Sequence, residues 1–203
     1  MRFAQPIVLA SRSPRRKQLL EEAGIRVHVL PPHLDDGELT RQGQTPEQWV
    51  LELALLKALD VLQQVSSEKE LETGTVLAAD TVCVHGSEIF GQPADAAEAL
   101  AMLQALRDNT HYTISGVCLI NIADDSQHTF VDKATVHFGH VDDAEIDAYI
   151  QSESWRGKAG GYNLVERIDA GWPIRCDGDP TTVMGLPMQR LRSLLNGVGR
   201  EQR

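Results

Sequence analysis

Cysteine, positive charge and long apolar runs are all scarce in this chain, and each scarcity excludes a class of protein. The three cysteines, Cys83, Cys118 and Cys176, are dispersed and odd in number. They form neither a disulfide framework nor a zinc pattern, and they fit a reducing compartment. No apolar run approaches the roughly 20 residues that cross a bilayer, so no membrane partner is expected. The short apolar stretch near the N-terminus runs straight into Ser11-Arg12-Ser13-Pro14-Arg15-Arg16, which is not the form of a signal peptide. A cytoplasmic location is therefore the expectation. Lysine and arginine number 19 against 29 acidic residues, a net charge of −10. A chain so acidic repels nucleic acid as a whole, and no nucleic-acid partner is expected. Repeats and low-complexity linkers are missing too, so the chain reads as a single domain over residues 1–203, with room for two lobes.

Against this acidic background one segment is strongly basic. Ile7-Val-Leu-Ala10 reads as the end of a buried strand. Ser13 suits a helix N-cap and Pro14 the first helical position, with a stop at Gly24. Arg15 and Arg16 then fall in the first turn of the helix. That is the wrong end for cations, because the helix dipole favours negative charge there. An anion at the helix start resolves the conflict. Free backbone N–H groups, the hydroxyls of Ser11 and Ser13, and Arg12, Arg15 and Arg16 would converge on phosphate. The plainer alternative is a solvated basic turn.

The rest of the chain alternates strands and helices before a strand pair appears. Arg26–Leu30 reads as a short strand, and Thr45-Pro46-Glu47-Gln48 as a capping box opening a helix to about Gln64. Ser66–Gly74 reads as a loop and Val76–Val84 as a strand, with a turn at Gly86 and a return through Glu88-Ile89-Phe90. Asp95 caps a helix to about Arg107. His111–Ile122 and Gln127–Val141 read as a hairpin. Asp142 caps a helix to about Ser152, a glycine-rich loop follows at Gly157–Gly161, and Gly185-Leu-Pro187 leads into a last helix ending near Gly197. The fold class is α/β, a mixed twisted sheet flanked by helices.

Chemistry-bearing residues stand out in this frame. Asp80 sits within a nearly continuous apolar strand. Burying a lone carboxylate costs several kcal/mol unless it is paired, protonated or metal-bound. Asp80 is thus a candidate base or Mg²⁺ ligand, unless the strand ends early. Lys57 shares one helical stripe with Val50, Ala54 and Val61. It either snorkels to the surface or extends into an anion site. Asp35 and Asp36 follow a Pro-Pro break, which suits either Mg²⁺ binding or a solvated acidic loop. Lys158 in the glycine loop offers a second anion site or a lid. Trp155, Tyr162 and Trp172 flank that loop, for packing or for stacking on a base. His137 and His140 lack a third ligand for zinc. Ser11 and Ser13 lack a nucleophile elbow.

Together these residues resemble the Maf family, nucleotide pyrophosphatases first known as septum-formation inhibitors. The likeness spans Leu9-Ala-Ser-Arg-Ser-Pro-Arg-Arg16, Lys57-Ala58, Ala79-Asp-Thr-Val82, Gly91-Gln-Pro93, Lys158-Ala-Gly-Gly-Tyr162 and Val183-Met-Gly-Leu-Pro187. It implies two lobes around a cleft, similar to the inosine-triphosphate-pyrophosphatase-like fold. It also implies a hydrolase acting on acid anhydrides, in which water attacks the α-phosphate of a nucleoside triphosphate with Mg²⁺ or another divalent cation. The products are a monophosphate and pyrophosphate, the role is nucleotide house-cleaning, and a homodimer is expected. By position, Ser13, Arg15 and Arg16 would hold phosphates, and Ser11, Arg12 and Lys158 join them as substrate-binding candidates from the reading of the helix start and the glycine loop. Asp80 would be the central acid, Lys57 would stabilise developing negative charge, and Asp35 would join Asp80 at the metal.

Two departures from the family pattern bear on function. Gln92 stands where the family usually has lysine, so the catalytic set reads Asp80, Lys57 and Gln92 with one charge missing. Asn163-Leu-Val-Glu-Arg167 replaces the Gly-Ile-Gln pattern of members acting on dTTP and UTP, and with Asp179-Pro-Thr-Thr-Val183 is closer to the branch acting on 7-methyl-GTP. Asp80-Thr81, however, departs from the Asp-Gln of that branch, so the base stays open. Gln92 also leaves room for a nucleotide-binding regulator of division with weak or no hydrolysis. A phosphosugar- or phosphate-binding enzyme sharing only the helix-start site is a further rival.

Overall fold

The computed structural model describes residues 6–34, 39–65 and 74–196. Strand β1 (Ile7–Ala10) is buried along its length and leads through Ser11-Arg12-Ser13 into α1 (Pro14–Glu22). Ser13 takes the N-cap position in an extended conformation, but its hydroxyl makes no capping bond. The Ser13 N–H instead donates to Ser11 Oγ at 3.1 Å. Beyond β2 (Val27–Val29), α2 (Pro46–Val65) starts with the expected capping box. Thr45 N–H donates to Gln48 Oε1 at 2.9 Å, and Gln48 N–H donates to Thr45 Oγ1 at 3.3 Å.

Strand β3 (Thr75–His85) turns at Gly86 into β4 (Glu88–Phe90), and α3 (Ala96–Leu106) follows. The long hairpin is β5 (Asn109–Asn121) and β6 (Gln127–Phe138). The chain continues through α4 (Asp143–Gln151), a single 3₁₀ turn at Ala159–Gly161, α5 (Leu164–Asp169), β7 (Ile174–Asp177), α6 (Pro180–Val183) and α7 (Met188–Asn196).

The strands form one mixed sheet in the order β2-β1-β3-β5-β6-β7, with β4 added on β3. Pairing of β1 with β2 and β3 is parallel, and the remaining pairs are antiparallel. Strand alternation divides the core between the two faces. Val8, Ala10, Val76 and Ala78 pack against Ala54, Ala58, Val61 and Val65 of α2. Ile7, Leu9, Leu77 and Ala79 pack on the other face against Leu19 and Leu20 of α1 and Leu191 of α7. A further cluster joins α3, α4 and the aromatic residues Phe138, Tyr149, Trp155, Tyr162 and Trp172 at the far end of the hairpin.

One irregularity positions the site. Strand β5 occupies one edge of β3 from Thr75 to Val84. The opposite edge pairs with β1 at Thr75–Ala78 and with β4 at Cys83–His85. Residues Ala79–Val82 therefore have a ladder on one side only, in a gap between the end of β1 and β4. Side-chain alternation then sends Asp80 to the α2 face and Thr81 to the α1 face.

Structure and expectation differ in places. Strand β6 stops at Phe138, three residues before the expected end, because Gly139 turns there and its N–H donates to Pro173 O at 2.8 Å. Elements α5, β7 and α6 were not expected. Most of the Ser66–Gly74 segment lies outside the described residues.

Candidate active site

A cleft of about 560 Å³ opens at the gap in the sheet. Ser11, Arg12, Ser13, Arg15, Arg16, Lys57, Asp80, Gln92 and Lys158 all line it. Asp35 lies outside the described residues. Among the described residues six cationic side chains, including Arg156, and two carboxylates, Asp80 and Glu166, line this cleft. The balance of these described groups is positive, which suits small anions.

The buried floor is an ion pair. Asp80 and Lys57 are each 7 % exposed, and Lys57 Nζ lies 2.7 Å from Asp80 Oδ1. Lys57 does not snorkel. Val50, Ala54 and Val61 of its stripe are fully buried, so the same face that packs α2 on the sheet carries the ammonium to Asp80.

The start of α1 forms one wall. Among the described residues Arg16 meets three oxygens: Nε donates to Gly185 O at 2.8 Å, Nη1 to Ser11 Oγ at 3.2 Å and Nη2 to Thr81 Oγ1 at 3.3 Å. Ser11 is 4 % exposed, and its hydroxyl serves both Arg16 and the Ser13 N–H. Arg12 Nη2 donates to Pro32 O at 2.6 Å.

The opposite wall comes from the glycine loop and α5. Lys158 Nζ lies 3.0 Å from Glu166 Oε2, while Glu166 Oε1 takes Arg15 Nη2 at 2.8 Å. One carboxylate thus bridges two phosphate-binding candidates from opposite walls. Gly160, with φ +70°, sits where a Cβ would approach Cys83 Cβ to 3.1 Å, and its N–H donates to Gly91 O at 3.0 Å. This fixes the glycine loop against the turn that carries Gln92. Tyr162 is buried with its hydroxyl 2.7 Å from His111 Nε2. Burial raises the Tyr162 pKa and lowers that of His111 to about 4, with His85 and His137 adding to the latter. Trp155 and Trp172 are buried in the core and do not line the cleft.

Sequence reasoning missed Thr81, Gly185 and Arg156 as cleft residues and Glu166 as a bridge. Arg156 carried a findable signal: it follows Trp155 and stacks on that ring, 4.5 Å from its centroid. Thr81 and Gly185 stand within the segments that carry the family likeness, whereas Glu166 meets Arg15 and Lys158 only through tertiary contacts.

Among the described residues no group of three or more His, Cys, Asp or Glu is gathered to hold a metal. The donor chemistry still suits Mg²⁺, which takes one or two carboxylates and leaves its other positions to water and substrate phosphate. Asp80, facing the cleft, meets that requirement. No helix among the described residues is long and apolar enough to cross a membrane.

A family model described as Maf-like protein matches residues 6–198. Among curated relatives, the dTTP/UTP pyrophosphatase of Salinibacter ruber is 36% identical over 191 residues, 94% of this chain and 90% of the relative. The dTTP/UTP pyrophosphatase of Rhizobium meliloti is 33% identical over 199 residues, 98% of this chain and 95% of the relative. That of a Geobacillus species is 38% identical over 184 residues, 91% of this chain and 93% of the relative.

Proposed function

The chain belongs to the Maf family and is a nucleoside triphosphate pyrophosphatase, and we propose that it takes dTTP and UTP, splitting them between the α- and β-phosphates. The observation that carries the pyrophosphatase reading is the meeting of two features in one cleft, and the choice of dTTP and UTP rests on the names of the relatives. A helix start rich in arginine supplies anion binding, and a buried Asp80–Lys57 pair supplies the reacting centre.

The phosphate chain lies along Arg12, Arg15 and Arg16 at the start of α1 and reaches Lys158 on the far wall. Charge-assisted N–H donors and backbone amides suit its oxygens. Asp80 orients the attacking water and accepts its proton. The water oxygen forms a bond to the α-phosphorus, the bond from that phosphorus to the bridging oxygen breaks, and pyrophosphate leaves with the electron pair. Lys57 lies 2.7 Å from Asp80 and so stands beside the charge that develops there. Asp80 and the substrate's phosphate oxygens would hold Mg²⁺, which when bound neutralises charge on the polyphosphate. A house-cleaning role in the cytoplasm fits the three free cysteines.

A pyrophosphate-release assay over common and modified nucleotides, with and without Mg²⁺, tests the reading. Turnover of dTTP and UTP above purine and 7-methyl-GTP substrates is expected. Nucleotide binding with no turnover of any of them would overturn it in favour of a nucleotide-binding regulator.

A further inference from the structure

Ser115 lies on β5, fully buried, and does not line the cleft. Its hydroxyl nevertheless sits at the centre of a chain of hydrogen bonds that ends on Arg16. Ser115 Oγ is 2.8 Å from Thr182 O and 2.7 Å from Thr81 Oγ1, and Thr81 Oγ1 is 3.3 Å from Arg16 Nη2. Only one order of protons satisfies all three contacts. A carbonyl oxygen can only accept, so the single Ser115 proton goes to Thr182 O. The proton between the two hydroxyls must then belong to Thr81. Thr81 therefore presents lone pairs alone to the guanidinium of Arg16.

The far end of the chain is fixed as well. Thr182 is fully buried, and its own hydroxyl donates to Asp132 Oδ2. Together with Ser11 Oγ and Gly185 O, Thr81 makes three neutral acceptors around the guanidinium. These three contacts constrain the roll of the guanidinium.

We propose that Ser115 is a positioning residue for Arg16, acting through Thr81 to hold the guanidinium in the orientation that receives a substrate phosphate. The inference rests on the functional reading above in taking Arg16 as a phosphate ligand. Without Ser115, the Thr81 proton loses its acceptor, and the hydroxyl is no longer held as an acceptor for the Arg16 N–H.

The test measures binding of inorganic tripolyphosphate by calorimetry, alongside KM and kcat for dTTP, in Ser115→Ala, Thr81→Val and the double variant. All three are near-isosteric, and Thr81→Ser provides the conservative rescue. Ser115→Ala is expected to weaken tripolyphosphate and raise KM by about 3- to 10-fold with a smaller change in kcat. The double variant should be no worse than Thr81→Val alone, and Thr81→Ser should stay within about twofold of the parent. Losses that multiply in the double variant, or unchanged tripolyphosphate binding in Ser115→Ala, overturn the inference. If Ser115→Ala does not fold, loss of tripolyphosphate affinity in Thr81→Val with rescue by Thr81→Ser supports the chain, and equal behaviour of those two variants overturns it. A parent chain that binds tripolyphosphate and shows these effects but turns over no nucleotide would sink the pyrophosphatase reading and leave this inference standing.

Discussion

Gly116 lies directly across the β3–β5 ladder from Asp80, and a Cβ on Gly116 would come within 2.6 Å of the carbonyl carbon of Val50. The backbone of α2 thus rests on the strand next to the carboxylate that Lys57 of the same helix must reach. Any side chain at 116 lifts the helix. Gly116→Ala is expected to destabilise the fold by about 1–3 kcal/mol, as overpacking does. It should also lower kcat by about tenfold or more as Lys57 withdraws from Asp80. Denaturant unfolding and steady-state kinetics on the same preparation check both. Normal kinetics in a destabilised variant would separate helix seating from the ion pair.

Asp80→Asn retains the shape of the side chain and an oxygen that can accept from Lys57, but it cannot take a proton from water. Turnover should fall by about 10²- to 10⁴-fold. Nucleotide affinity, measured by calorimetry, should change little. Asp80→Ala is expected to be far harsher on the fold, because truncating one member of a buried ion pair costs about 3–5 kcal/mol. A near-normal rate in Asp80→Asn would remove Asp80 from the reaction.

Local signals explain what the sequence made readable. The strand end, serine and proline before α1, the capping box before α2 and the apolar run of β3 each act over a few residues. They correctly located the elements that carry Arg15, Arg16, Lys57 and Asp80. Elements α5, β7 and α6 span six, four and four residues. Such lengths leave little period to show, and the local marks of the two helices are their caps, Asn163 and Asp179, whose side chains accept from the Glu166 and Thr181 N–H groups. Glu166 meets Arg15 across 151 residues of chain, and Gly116 has meaning only once α2 is seated on it. Neither contact leaves a mark in its own neighbourhood of the sequence.

Glu166 occupies Arg15 and Lys158 with its two carboxylate oxygens. A phosphate entering between those cations must displace it. Glu166→Gln keeps the shape and removes the competing charge, so tripolyphosphate binding should tighten by about 3- to 10-fold at low salt. The gain should shrink as salt screens the site. Thermal stability should barely move, because these pairs are partly exposed and such bridges contribute about 0–1 kcal/mol. Weaker binding in Glu166→Gln would mean that the carboxylate orients the cations rather than competes for them.

Gln92 lines the cleft from the turn after β4, uncharged where the resemblance implies a lysine. Gln92→Lys should raise kcat/KM for a nucleoside triphosphate by roughly 3- to 10-fold if the missing charge limits the rate. An unchanged value would show that cations already in the cleft, such as Lys158 or Arg156, supply it.

His111 makes stability depend on pH. It is fully buried, its Nε2 is bonded to Tyr162, and among the described residues its Nδ1 has no partner that would accept a second proton. Burial first, then His85 and His137, lowers its pKa from 6.5 to about 4. The unfolded chain therefore binds the proton at higher pH than the folded one, and in that window stability rises with pH. The contribution is fully present above about pH 6.5 and is lost as pH falls towards 4. A shift of this size corresponds to roughly 3 kcal/mol. Denaturant unfolding between these limits should show that acid loss in the parent chain and a flatter profile in His111→Phe, even though the variant gives up the bond to Tyr162 at neutral pH. Equal slopes in the two proteins would assign the acid loss to other groups.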